Sequence, residues 1–112
     1  MRQGKAWGYT TKIFRNATMS IHHLEVKKDG FCSEHRHKHK HNIFYVISGV
    51  LELTIWNDEA EDVTLVYTGQ TTEIPPGYWH KFKGITPVEC IEIYRVCLIG
   101  EDIERRTEGG IK

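Results

Sequence analysis

The run Glu34-His35-Arg36-His37-Lys38-His39-Lys40-His41-Asn42 passes directly into Ile43-Phe44-Tyr45-Val46-Ile47-Ser48-Gly49. Four of the seven histidines stand here at alternate positions, separated by Arg36, Lys38 and Lys40. Side chains alternate faces along an extended chain, which places all four imidazoles on one side of a straight strand. At a rise of roughly 3.3 Å per residue, His35 and His37 are about 6.6 Å apart along the backbone, so both rings can reach one ion. His41 would lie about 20 Å from His35 on the same straight strand. A bend is therefore expected between His37 and Asn42 if more than two of these residues serve one metal.

Outward from this run, the periodic segments are short, β-branched or aromatic, and closed by glycine, proline, asparagine or aspartate. Strands are predicted over Trp7 to Phe14, Met19 to Val26, Ile43 to Ile47, Val50 to Trp56, Val63 to Tyr67, Thr71 to Ile74, Tyr78 to Lys83 and Val88 to Ile99. Turns are expected at Lys27 to Gly30, Thr68-Gly69 and Pro75-Pro76-Gly77, where two prolines cannot feed a central ladder. Ser48-Gly49 reads as a hairpin, with glycine free to take positive φ. Asn57 to Asp62 reads as a solvated acidic loop, and Ile103 to Thr107 as one helical turn. Of the adjacent pair His22 and His23, at most one faces inward. About nine or ten short strands in one domain spanning 1–112 point to an all-β fold, a sandwich or jelly-roll barrel.

Fifteen basic and fifteen acidic residues cancel, so charge supplies no reason to expect nucleic acid or an anionic membrane as partner. Met1-Arg2-Gln3-Gly4-Lys5 has no apolar run of the kind a secretory signal needs, and no stretch reaches the ~20 apolar residues of a membrane span. Cys32, Cys90 and Cys97 form no C-x-x-C and cannot all pair with one another, which fits reduced thiols in a cytoplasmic protein. Cys90 and Cys97 lie in apolar runs and are expected in the core.

A second motif lies downstream, in Gly69-Gln70-Thr71-Thr72-Glu73-Ile74-Pro75-Pro76-Gly77-Tyr78-Trp79-His80. Together the two segments resemble the cupin superfamily. Gly30, His35, His37, Asn42 and Gly49 occupy the frame of its first motif, with one residue fewer than usual between Gly30 and His35. Gly69, Pro75, Gly77 and His80 occupy the second, and Gly84 stands where asparagine is usual. The resemblance implies a double-stranded β-helix, the cupin jelly-roll barrel, with a divalent metal (Zn, Mn, Ni or Fe) held by His35, His37 and His80. Asn42 takes the place of the family's glutamate ligand. The fourth position thus falls to Asn42 or water, or to His41, which follows His37 at the spacing some four-histidine cupins use.

A closer resemblance extends to the C-terminal cupin domain of type II mannose-6-phosphate isomerase/mannose-1-phosphate guanylyltransferase proteins. It rests on Lys5-Ala6-Trp7-Gly8-Tyr9, Ser48-Gly49, Ile74-Pro75-Pro76-Gly77 with His80, Ile91-Glu92-Ile93, and the tail Leu98-Ile99-Gly100-Glu101-Asp102-Ile103-Glu104-Arg105. The nucleotidyltransferase portion has no counterpart in this sequence, so guanylyltransferase activity does not carry over. The resemblance implies aldose–ketose isomerisation of a small-molecule sugar phosphate. Such chemistry needs a Lewis acid and a base that moves a proton between two carbons. His39, His41, Glu52 and Glu92 are available as the base, and Arg105, Arg95 and Lys40 as phosphate partners. His39, Glu92 and Arg105 are the candidates for lining the substrate. A sugar-binding cupin without catalysis and a non-haem iron dioxygenase are the alternatives. Small cupins of this kind commonly form homodimers, and the strand Trp7 to Phe14 is the expected shared edge.

Overall fold

Strands are the only regular elements among the described residues of the computed structural model, which are 1–58, 60–95 and 102–112. In chain order they are β1 (Arg2–Lys5), β2 (Gly8–Arg15), β3 (Met19–Val26), β4 (Gly30–Phe31), β5 (His35–Arg36), β6 (His41–Ser48) and β7 (Val50–Asn57). They continue as β8 (Ala60–Tyr67), β9 (Thr71–Ile74), β10 (Trp79–Gly84), β11 (Val88–Arg95), β12 (Glu104–Arg105) and β13 (Gly110–Ile111). One sheet runs β1-β2-β3-β11-β6-β9. In the other, β10 pairs with β7 along one side and with β4 and β5 along the other, while β8, β12 and β13 extend it. The two sheets form a jelly-roll barrel, all-β as expected. No helix of the described residues is long and apolar enough to cross a membrane.

The expected bend is present. The chain leaves β5 after Arg36 and rejoins a sheet at His41. The break changes the phase of alternation: His35 and His37 are buried before it, and Asn42, Phe44 and Val46 after it. Odd positions face inward before residues 38–40 and even positions after them, which a straight strand cannot do.

Several expectations change. Ser48-Gly49 is not a hairpin, because β6 and β7 belong to different sheets. Gly49, at φ 95°, turns the chain from one sheet to the other, and a Cβ there would stand 2.2 Å from the Pro87 carbonyl oxygen. The acidic loop is shorter than read, since Ala60 to Asp62 already pair with β7. Ile103 to Thr107 forms no helical turn; Glu104 and Arg105 pair with Arg36 and His35, and one isolated turn does not recover its nucleation cost. The strand at Trp7 to Phe14 is no free edge, because β1 covers Gly8 to Thr11. Cys97 and the expected last strand beyond Arg95 lie outside the described residues, as do Leu98 to Glu101 of the tail.

The barrel interior is divided lengthwise. Leu24, Cys90 and Val46 align across β3, β11 and β6, and pack with Leu51, Leu53 and Phe82 from the facing sheet. Trp7 and Phe44 meet Phe82 edge-on, at centroid separations of 5.0 and 5.9 Å. One step along the same strands the inward residues become polar: His22, Glu92, then Asn42 and Tyr94, with His80 on β10. One half of the barrel is a hydrophobic core, and the other half holds the polar site.

Candidate metal centre

β5 and β10 bring two distant histidines together, because His35 and His80 are direct partners in the antiparallel register. His37 follows β5 directly, just before the bend at residues 38–40. The ligand-capable nitrogens of His35, His37 and His80 lie within 4.8 Å of one another, and all three residues are buried. Their ring centroids are 4.3 to 5.4 Å apart.

Each ring is oriented from behind by a backbone carbonyl. His35 Nδ1 donates to Ser33 O at 2.7 Å, His37 Nδ1 to Asp102 O at 2.5 Å, and His80 Nδ1 to Tyr78 O at 3.0 Å. A carbonyl only accepts, so Nδ1 carries the proton and the lone pair sits on Nε2. His37 Nε2 and His80 Nε2 are buried with no hydrogen-bond partner in the protein. Burial, together with the neighbouring rings, pushes His35 down to about 4 and His80 down to about 3; burial also lowers His37. Three neutral imidazoles with closely grouped ligand nitrogens, two of them without a partner in the protein, form a cluster able to bind a divalent metal.

Asn42 is fully buried; its Nδ2 donates to Glu92 Oε2 at 3.3 Å and its Oδ1 has no partner. Tyr94 joins this group by donating its hydroxyl to Glu92, and its ring meets His37 edge-on at 5.2 Å. Burial raises Glu92 to about 7 against the lowering effect of the Tyr94 hydrogen bond. His41, by contrast, turns to Glu73, with Nε2 3.5 Å from Oε2, and stands outside the histidine cluster.

A cavity of about 1030 Å³ opens beside the cluster, and His35, Glu92, Tyr94 and Arg105 are on its wall. Of the substrate-lining candidates it thus gathers Glu92 and Arg105, while His39 is exposed outside it. Glu52 and Arg95 are also outside that wall. Lys40 Nζ lies 5.1 Å from the Tyr94 ring centroid.

Sequence reasoning missed His22, Lys5 and Lys12, which also line the cavity. His22 is the direct cross-strand partner of Glu92, and its ring meets Tyr94 at 5.6 Å. The signal was the phase of β3: Ser20, Leu24 and Val26 are buried, so His22 shares their face and His23 does not. Burial first, then Lys12 and Lys40, hold His22 below the ordinary histidine range.

The family model for the cupin domain matches residues 22–94, a span that contains all three clustered histidines. The chain is 31% identical over 100 residues to the xanthan biosynthesis protein XanB of Xanthomonas campestris pv. campestris, covering 88% of this chain and 21% of the relative. It is 27% identical over 100 residues to a mannose-1-phosphate guanylyltransferase of Sinorhizobium fredii, covering 88% of this chain and 19% of the relative. The chain therefore spans about a fifth of the length of these curated relatives. Among solved structures, oxalate decarboxylase from Bacillus subtilis superposes with a TM-score of 0.83 at 16% identity, over 94% of this chain and 29% of that one. At that identity the likeness concerns the fold.

Proposed function

Because the chain belongs to the cupin family, we propose that it is a metal-dependent aldose–ketose isomerase acting on a sugar phosphate of the mannose 6-phosphate type. The observation that carries this reading is the convergence of His35, His37 and His80, with His35 standing on the wall of a cavity that also contains a buried carboxylate and basic side chains. The three histidines would hold the divalent ion, with the Asn42 Oδ1 as fourth donor. When bound, such an ion supplies Lewis acidity toward a carbonyl and its neighbouring hydroxyl.

Glu92 is the base. Of the four candidates, Glu92 alone lines the cavity, where burial keeps it near 7, the range in which a carboxyl both takes and returns a proton. It takes the proton from C2 of the aldose and delivers it to C1, while Tyr94 and Asn42 hold the carboxyl in place. Lys5, Lys12, Lys40 and Arg105 supply positive charge for the phosphate. The protein is proposed to act as a homodimer through the outer face of the first sheet, where Phe14, Tyr45 and Ile47 are exposed; light scattering on the purified protein tests this.

The test is interconversion of mannose 6-phosphate and fructose 6-phosphate by protein purified without a histidine tag, with its metal content measured. Turnover that a chelator abolishes and one divalent metal restores, with solvent deuterium entering the substrate, supports the reading. Metal-replete protein that binds hexose phosphate without turnover or exchange is a binding module, which the missing carboxylate at Asn42 would suit. Bound iron with O₂ uptake would mark a dioxygenase.

A further inference from the structure

We propose that Asp102 is the positioning residue of the metal centre, and that the C-terminal strap carrying it is a working part of that centre. The inference rests on the reading of His35, His37 and His80 as a metal site.

Asp102 makes four contacts with one short stretch. Its carbonyl oxygen accepts the His37 Nδ1 proton at 2.5 Å. Its carboxylate accepts three consecutive backbone N–H groups: Lys38 at 2.8 Å on Oδ1, His39 at 2.7 Å and Lys40 at 3.1 Å on Oδ2. Residues 38–40 are the bend where the chain leaves ladder pairing and changes phase, so these N–H groups have no strand partner. Successive N–H groups turned to one side form a nest for an anion. Here the anion is a side chain from the far end of the chain. One residue therefore sets the tautomer of His37 and holds the bend that lets His37 and Asn42 both face inward.

The strap is fastened along the same segment. Arg36 Nε binds Glu104 Oε2 at 3.0 Å, Arg106 Nε binds Glu34 Oε1 at 2.9 Å, and the Glu34 N–H donates to Thr107 Oγ1 at 2.9 Å. Arg106 also lies over Trp56 and Trp79, at 5.0 and 4.5 Å from the ring centroids. These contacts fasten the strap without touching the histidine cluster, so they separate stability from positioning.

The experiment titrates the full chain with Co²⁺, reading affinity by calorimetry and ligand geometry by visible absorption. Asp102→Ala is expected to weaken Co²⁺ binding about 10- to 100-fold and to change the absorption bands. Asp102→Asn, which keeps one acceptor oxygen for the nest, should recover part of the loss and also serves if the alanine variant does not fold. Arg106→Ala should lower the melting temperature and leave Co²⁺ affinity and spectrum as in the wild type. Wild-type affinity in Asp102→Ala overturns the proposal, as does an asparagine variant no better than alanine or an equal loss in Arg106→Ala. Failure of the wild type itself to bind Co²⁺ would instead bring down the metal reading, and this inference with it.

Discussion

His35 and His80 are direct partners across β5 and β10, and their rings stand with centroids 4.3 Å apart. Two imidazoles so close cannot both carry a proton at low cost, since each cation would be buried beside another. The pairing therefore holds both rings in the neutral form that a metal needs, before any metal arrives.

His80→Ala should remove one ligand and leave the barrel intact, because the apolar half of the interior, around Phe82, does not depend on it. Metal retained after dialysis is expected to fall at least tenfold, with an unchanged far-ultraviolet circular dichroism spectrum. Wild-type metal stoichiometry in this variant would take His80 out of the site.

The metal-free protein should be sensitive to acid. Burial holds His35 at about 4 and His80 at about 3, below the ordinary histidine value of 6.5, so the unfolded chain binds more protons as pH falls. The stability these neutral rings contribute is present above pH 6.5 and is lost as pH falls through the folded values. The loss is roughly 3 kcal/mol from His35 alone. Chemical denaturation between pH 7 and 4 measures it, and His80→Ala should flatten the curve.

Both halves of the histidine cluster were legible in the sequence because ligand types and turn residues carry local signals. Pro75-Pro76-Gly77 can only reverse the chain, and β3 and β9 begin and end as read. Ser48-Gly49 misled because a glycine at positive φ serves a hairpin and a crossing between sheets equally well. Asp102 gave no local signal, since its partners are 62 to 65 residues away. Tyr94 was invisible for a related reason: its contacts to Glu92, His22 and His37 exist only once β3, β11 and the bend are assembled.

Glu92→Gln separates stability from catalysis. Burial raises Glu92 to about 7, above the ordinary glutamate value of 4.5, so ionising it destabilises the fold progressively from pH 4.5 upward, with the full effect above 7. The metal-free variant should match the wild type at pH 4 and exceed it at pH 8 by about 1–3 kcal/mol. Isomerase turnover should be lost at every pH. Retained turnover would exclude Glu92 as the base.

Asn42 takes the place that the sequence resemblance gives to a glutamate ligand, and a carboxylate there would add negative charge beside three neutral histidines. In isolation, that change should tighten metal binding about tenfold, or ~1.4 kcal/mol. Asn42 Nδ2, however, donates to Glu92 Oε2 at 3.3 Å, so Asn42→Glu replaces a donor with a second buried acceptor. Two carboxylates sharing one dry site retain a proton between them near neutral pH, which cancels part of the added charge. The single variant is therefore expected to gain less than tenfold. Adding Glu92→Gln restores a donor opposite the new carboxylate and should release the full gain. Metal titrations of wild type, both single variants and the double variant form a cycle whose expected coupling is about 1 kcal/mol. A cycle that closes without coupling would mean that residues 42 and 92 act independently on the ion. If affinity does not move in any variant, Asn42 lies outside the coordination sphere, and His41→Ala becomes the informative change.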